Sequence, residues 1–203
     1  MISALLLGLG QGARHSLEPD HLAAVSVMVG STRDARRSMW LGAWWGLGHT
    51  VSLTAMSIAV VAFGAVLPPA ADVAFAIGVG VMLIILGARA LIAARRHRPD
   101  NGTVVKVRRP AHALLVGMVH GLAGSSALTA LVFASLDTTA ARMVYVGLFG
   151  LGSIAGMALV SGAAGWWLAS LPRSRVLVWL QLLIASISIV IGAQTISAAL
   201  AWP

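Results

Sequence analysis

Long apolar runs, divided by short loops that hold most of the arginine and lysine, constrain this chain more than any other feature. Six runs of about 20 residues or more can be laid out, near 3–28, 38–64, 73–94, 110–135, 142–169 and 176–199. Inside a bilayer every backbone polar group must be satisfied within the chain, and runs of this length do so as helices. Hydrophobic residues fill 59% of the 203 positions, charged residues only 10%, and mean hydropathy is +0.91. The chain therefore reads as an all-α polytopic membrane protein with six transmembrane helices. A net charge of +8 would point to nucleic acid in a soluble domain, but here the basic residues fall in short loops, so no nucleic-acid partner is expected. The absence of cysteine excludes disulfides, thiolate metal sites and dithiol electron relay. The first apolar run lacks a basic leader and runs straight into charged residues, so it is expected to be a span, not a signal peptide.

Loop charge sets an expected orientation. Arg33, Arg36 and Arg37 separate the first two runs, and Arg95, Arg96, Arg98, Lys106, Arg108 and Arg109 separate the third and fourth. Arg173 and Arg175 separate the last two. The Pro68-Pro69 turn with Asp72 and the Asp137 turn carry little positive charge, Arg142 apart. Every basic loop then lies on one side, which should be cytoplasmic, with both termini external. A multi-pass protein of the plasma (inner) membrane is the expectation, with the lipid bilayer as its surroundings. Trp40, Trp166, Trp167, Trp179 and Trp202 sit near span ends, where amphipathic belt residues belong. Trp44 and Trp45 lie deeper and fit belt, packing or a lining beside His49.

The first run is interrupted by Gln11-Gly-Ala-Arg-His-Ser-Leu-Glu-Pro-Asp-His21, which packs Arg14, His15, Glu18, Asp20 and His21 into apolar sequence. Charges at that density are expensive to bury unless they are paired or functional. Imidazole with carboxylate oxygen is a ligand set for a divalent transition metal, and His15, Asp20 and His21 form the sharpest such constellation. On an unbroken helix His15 and His21 would point roughly 120° apart. Pro19 works against a continuous helix and could turn Asp20 and His21 toward His15. A purely structural network closed by Arg14 is the competing reading. Arg14 would repel a cation on its route, so it is expected to partner Glu18 or Asp20. Glu18 shares the face of His15 and reads as an outer carboxylate. His49, behind Gly46 and Gly48, is a candidate further ligand, and His120, Ser125 and Ser126 are candidate path-lining residues.

The two halves of the chain resemble one another. Leu7-Gly-Leu-Gly-Gln-Gly12 matches Val116-Gly-Met-Val-His-Gly121, and Gly46-Leu-Gly-His49 matches Gly150-Leu-Gly-Ser153. Gly87-Ala-Arg-Ala-Leu-Ile92 matches Gly192-Ala-Gln-Thr-Ile-Ser197. Gln11 thus stands opposite His120 and His49 opposite Ser153. With three spans per unit, the second copy enters from the opposite side, so two inverted three-helix repeats are expected, with the first and fourth helices interrupted. Residues 1–97 would form the first repeat, 98–109 a basic cytoplasmic loop, and 110–203 the second repeat. Gly8, Gly12, Gly117 and Gly121 should permit close helix approach, and pseudo-symmetry should bring the two interrupted segments face to face.

Arg14-His15-Ser-Leu-Glu-Pro-Asp20-His21 resembles the His-x4-Asp-His signature of the nickel/cobalt transporter family, which includes high-affinity nickel permeases and shorter UreH-like, urease-associated proteins. Leu47-Gly48-His49-Thr50-Val51 is similar to the second motif of that family, and His120-Gly-Leu-Ala-Gly-Ser-Ser-Ala-Leu128 resembles a segment of the UreH-like branch. The chain departs from the long permeases at Ser16, Glu18 and Pro19, and Gly121–Ser126 stands where they carry a Phe-Asp-Thr core. The resemblance implies transport of Ni²⁺ or Co²⁺, with His15, Asp20 and His21 recognising the metal and His49 as a further essential histidine. The expectation is an uptake carrier working by alternating access, not an enzyme, with no prosthetic group and the metal ion as bound substrate. An exporter on the same fold and a non-transporting membrane accessory protein are the alternatives.

Overall fold

The structure, a computed structural model, describes residues 2–30, 32, 34–63, 68–96, 110–123, 136, 138–171 and 175–201. Regular structure among these is helical throughout. In chain order the helices are α1 (Ile2–His15), α2 (Pro19–Val29), α3 (Ala35–Phe63), α4 (Pro69–Arg96), α5 (Pro110–Ala123), α6 (Thr139–Ser170) and α7 (Arg175–Ala201).

Local chemistry explains where several of them start. Pro19 opens α2, where its missing N–H costs no internal bond. Asp34 caps α3 by accepting the Arg37 N–H at 2.6 Å. Thr138 caps α6, its hydroxyl accepting the Ala141 N–H at 3.2 Å. Proline likewise opens α4 and α5.

Helices α4, α6 and α7 are long and apolar enough to cross a membrane, and α3 matches them in length with 29 residues. The first expected span is two shorter helices in series. With 14 residues α1 extends roughly 21 Å and with 11 residues α2 extends roughly 16 Å. Neither alone covers a hydrocarbon layer of about 30 Å. The interruption expected in the first helix thus falls at residues 16–18. In the second half α5 is described as far as Ala123; the expected remainder of that span, including Ser125 and Ser126, lies outside the described residues, as does the 98–109 loop.

The helices pair across the two halves: α3 packs on α6, α4 on α7, α1 on α6 and α5 on α3. Glycine lets backbones touch at the last two of these seams. A methyl at Gly12 would strike the Phe149 carbonyl and one at Gly152 the Leu9 carbonyl. On the other seam, Gly48 abuts the Leu114 carbonyl and Gly117 the Trp45 carbonyl. Of the two segments expected to face each other, the described residues include α1 with α2 and, in the second half, α5 alone. Each lies on a long helix of the opposite half, and they meet through Asp20 and His120.

Polarity runs opposite to that of a soluble protein. Leu151, Leu159, Leu183 and Leu200 are exposed on the outside, with Trp40, Trp166, Trp167 and Trp179, while Ser38, Ser57, Ser153, Ser161 and Ser188 are buried. Lipid would satisfy those outer faces, and small hydroxyl residues let helices approach. At the centre lies α2, buried nearly all round through Ala23, Ala24, Val25, Val27, Met28 and Val29, against a core that includes Trp45, Leu83 and Met157. Its C-terminal end is held by Gln181, whose side-chain amide donates to the Gly30 carbonyl at 3.2 Å. That burial fixes what stands at the other end of α2.

Candidate metal centre

The break between α1 and α2 builds the site. After His15 the chain closes one tight turn, with the Leu17 N–H donating to the Arg14 carbonyl at 2.9 Å and the Glu18 N–H to the His15 carbonyl at 3.1 Å. Glu18 then adopts an extended backbone, Pro19 restarts the helix, and the Leu22 N–H returns to the Glu18 carbonyl at 2.9 Å. This break brings the rings of His15 and His21 to 4.4 Å, nearly edge to face. The turn also leaves α1 ending at the site with carbonyls, which favour a cation, while Asp20 answers the positive end of α2.

Two residues from elsewhere complete the cluster. His49 comes from the middle of α3, and its Nε2 lies 3.2 Å from His15 Nε2. His120, near the end of α5, places Nε2 2.9 Å from Asp20 Oδ2. His15, His21 and His49 each offer one nitrogen within 4.8 Å of the others, and Asp20, His21 and His120 form a second group of the same kind. All four imidazoles are buried, with His21 and His49 at 0% exposure.

Polar satisfaction is incomplete. Asp20 Oδ1 faces His21 Nδ1 at 3.0 Å and also accepts the His21 backbone N–H at 2.9 Å. Glu18 Oε1 stands 2.9 Å from His15 Nδ1. Among the described residues, His21 Nε2, His49 Nδ1 and His120 Nδ1 are buried without a hydrogen-bond partner. An unsatisfied buried polar atom costs about 1–3 kcal/mol, so three in one cluster mark a place that a ligand would complete. The donor set fits a divalent transition metal. At metal–nitrogen distances near 2.0–2.1 Å, neighbouring ligand atoms stand roughly 2.9–3.4 Å apart, the range spanned by the His15–His49 and His120–Asp20 contacts.

Exposure is graded. The Glu18 side chain is 48% exposed and that of Asp20 31%, while those of His15, His21 and His120 are 1–2% exposed. The two carboxylates are thus the more exposed members of the cluster and the imidazoles the buried ones.

The structure corrects one expectation outright. Arg14 is exposed and pairs with neither Glu18 nor Asp20. One residue before His15 it is turned about 100° round α1, and both carboxylates face imidazoles instead. Asp20 touches His21 and His120 and groups with them, not with His15. Two wall residues were open or unnamed in the sequence reading. Trp45 packs on His21 and His120, with ring centroids at 5.5 and 5.8 Å, and Phe149 lies 5.3 Å from His15. The internal repeat carried their signal, because each directly precedes a matched Gly-Leu-Gly triplet.

No family profile matches the chain, and no solved structure matches it. Two curated proteins are similar to it. One is a urease accessory protein UreH from Bacillus sp. (strain TB-90), 27% identical over 168 residues that cover 77% of this chain and 74% of that protein. The other is a high-affinity nickel transport protein from Cupriavidus necator, 40% identical over 65 residues, 30% of this chain and 18% of that protein. Neither is an enzyme by name.

Proposed function

We propose, for a chain that belongs to the nickel/cobalt transporter family near its UreH-like members, that it carries Ni²⁺ or Co²⁺ into the cell through the His15/His21/His49 cluster. One observation carries the reading: three buried imidazoles from separate chain segments converge within 4.8 Å, with unsatisfied nitrogens among them. Imidazole suits nickel and cobalt, where an all-oxygen site would suit magnesium or calcium. The name of the Cupriavidus relative supports nickel.

A hydrated ion arrives at Glu18 and Asp20, sheds water against imidazole nitrogen, and leaves on the other side. Two three-helix units rock about the site, related as inverted repeats, with 98–109 as the basic loop joining 1–97 to 110–203. Support for that arrangement is the reciprocal packing of α3 with α6 and α4 with α7, and the crossed seams of α1 on α6 and α5 on α3. Loop charge supports a plasma-membrane location with basic loops cytoplasmic and both termini external. The ion is a substrate, and the mechanism calls for no prosthetic group.

His21→Ala is expected to abolish accumulation of radiolabelled nickel in cells while leaving membrane expression intact. Unchanged uptake at equal expression would remove the site. A second reading, a non-transporting accessory protein of the membrane, is favoured by the name of the Bacillus relative, which covers most of the chain. Purified protein in liposomes separates the two, since an accessory protein alone moves no metal into the lumen.

A further inference from the structure

His120 plays no part in the three-imidazole cluster, yet it is buried, its Nδ1 has no protein partner, and its ring lies 4.2 Å from that of His21. His21 stands between two groups. Its Nδ1 faces Asp20, which in turn faces His120, while its Nε2 is unpartnered and its ring lies 4.4 Å from His15 and 5.3 Å from His49. The His120–Asp20 and His21–Asp20 contacts, 2.9 and 3.0 Å, are hydrogen-bond lengths without metal. They are also the separations of neighbouring ligands around a divalent ion, with the metal taking the place of the shared protons.

We propose that the chain holds two alternative ion positions that share His21: an outer one made by Asp20, His21 and His120, and an inner one made by His15, His21 and His49. The inference rests on the transport reading and adds a stage to it. Asp20, the one partly exposed member of the outer trio, receives the ion. With Nδ1 of His21 facing Asp20 and Nε2 left free for the inner trio, an ion passes inward through a shared ligand. Sharing His21 disfavours simultaneous occupancy, because two divalent ions would then be held a few ångströms apart in a low-dielectric interior. Trp45, packed against both His21 and His120, walls the passage.

Single and paired variants test this by Ni²⁺ titration of detergent-solubilised protein, with X-ray absorption to count imidazole ligands. Wild type should bind one ion per chain. His49→Ala should still bind one ion through the outer trio, with affinity reduced roughly 10–100-fold and fewer imidazoles around the metal. His120→Ala should bind one ion at the inner trio with wild-type imidazole count and slowed entry. The double variant His49→Ala/His120→Ala, and His21→Ala alone, should each lose binding. His120→Gln, which keeps an amide donor for Asp20, guards against misfolding and should behave as His120→Ala does. If His49→Ala alone removes all binding and both His120 variants load at the wild-type rate, the outer position is overturned while the inner site stands. If wild type binds no ion, the transport reading falls and this one with it.

Discussion

Replacing Gly117 with alanine tests whether the α3–α5 seam sets the geometry of the site. A methyl on Gly117 would point at the Trp45 backbone, striking its carbonyl oxygen, with the carbonyl carbon 2.9 Å away. Ordinary carbon contacts begin near 3.5 Å, so the helices must separate by about 0.6 Å or more. The obstacle is backbone and cannot rotate aside as a side chain would. Overpacking of this kind costs about 1–3 kcal/mol, corresponding to a fall of roughly 2–12 °C in the unfolding midpoint. His120 lies three residues further along α5, nearly on the same face, and moves with it, stretching the 2.9 Å contact to Asp20. Gly10 is the internal control, because nothing stands within 4 Å of its would-be methyl. There alanine should gain up to about 1 kcal/mol of helix propensity. Thermal unfolding in detergent, followed by circular dichroism, should rank Gly10→Ala at or above wild type and Gly117→Ala well below it. Nickel uptake per folded molecule should fall only in the second. Equal midpoints for the two variants would refute the claim that this seam is in backbone contact.

Three further outcomes follow from particular contacts. Asp20→Asn keeps the shape of the residue but removes the charge facing His21 and His120; nickel affinity should drop roughly 10–100-fold, measured by competition with a chromogenic chelator. Trp45→Ala empties the largest fully buried side chain and should cost about 3–5 kcal/mol, read as a lowered unfolding midpoint, with Trp45→Phe recovering most of it. Gln181→Leu removes the donor to the Gly30 carbonyl and leaves a buried acceptor unmatched, a loss of about 1–3 kcal/mol that unfolding in detergent would register while the metal ligands stay unchanged.

Helix content and the break in the first span were legible because both rest on local chemistry. Apolar runs must be helical in lipid, and Pro19 can occupy only the first turn of a new helix, which is where it stands. The sequence reading put His15, Asp20 and His21 together with His49 as a further candidate, whereas the structure groups His15, His21 and His49 and sets Asp20 with His21 and His120. What the sequence concealed was partner choice. Arg14 is adjacent to His15 in the chain but on another face of α1, whereas His120 is a hundred positions from Asp20 and 2.9 Å away. Nothing local announces that contact. It depends on α5 lying along α3, which the glycines at positions 48, 117 and 121 permit without specifying.

The proposed duplication also accounts for a single centre in a chain of two related halves. His49 aligns with Ser153, and His120 with Gln11. Ser153 Oγ donates to the Gly12 carbonyl at 3.3 Å inside the α1–α6 seam, at the place where the opposite seam sets Gly121 against the His49 carbonyl. On the proposed duplication, equivalent positions serve packing in one seam and bring an imidazole to the His/Asp cluster in the other. With serine at one position and histidine at the other, the costly polar groups gather where Asp20 and Glu18 also stand, the point at which a cation would satisfy them.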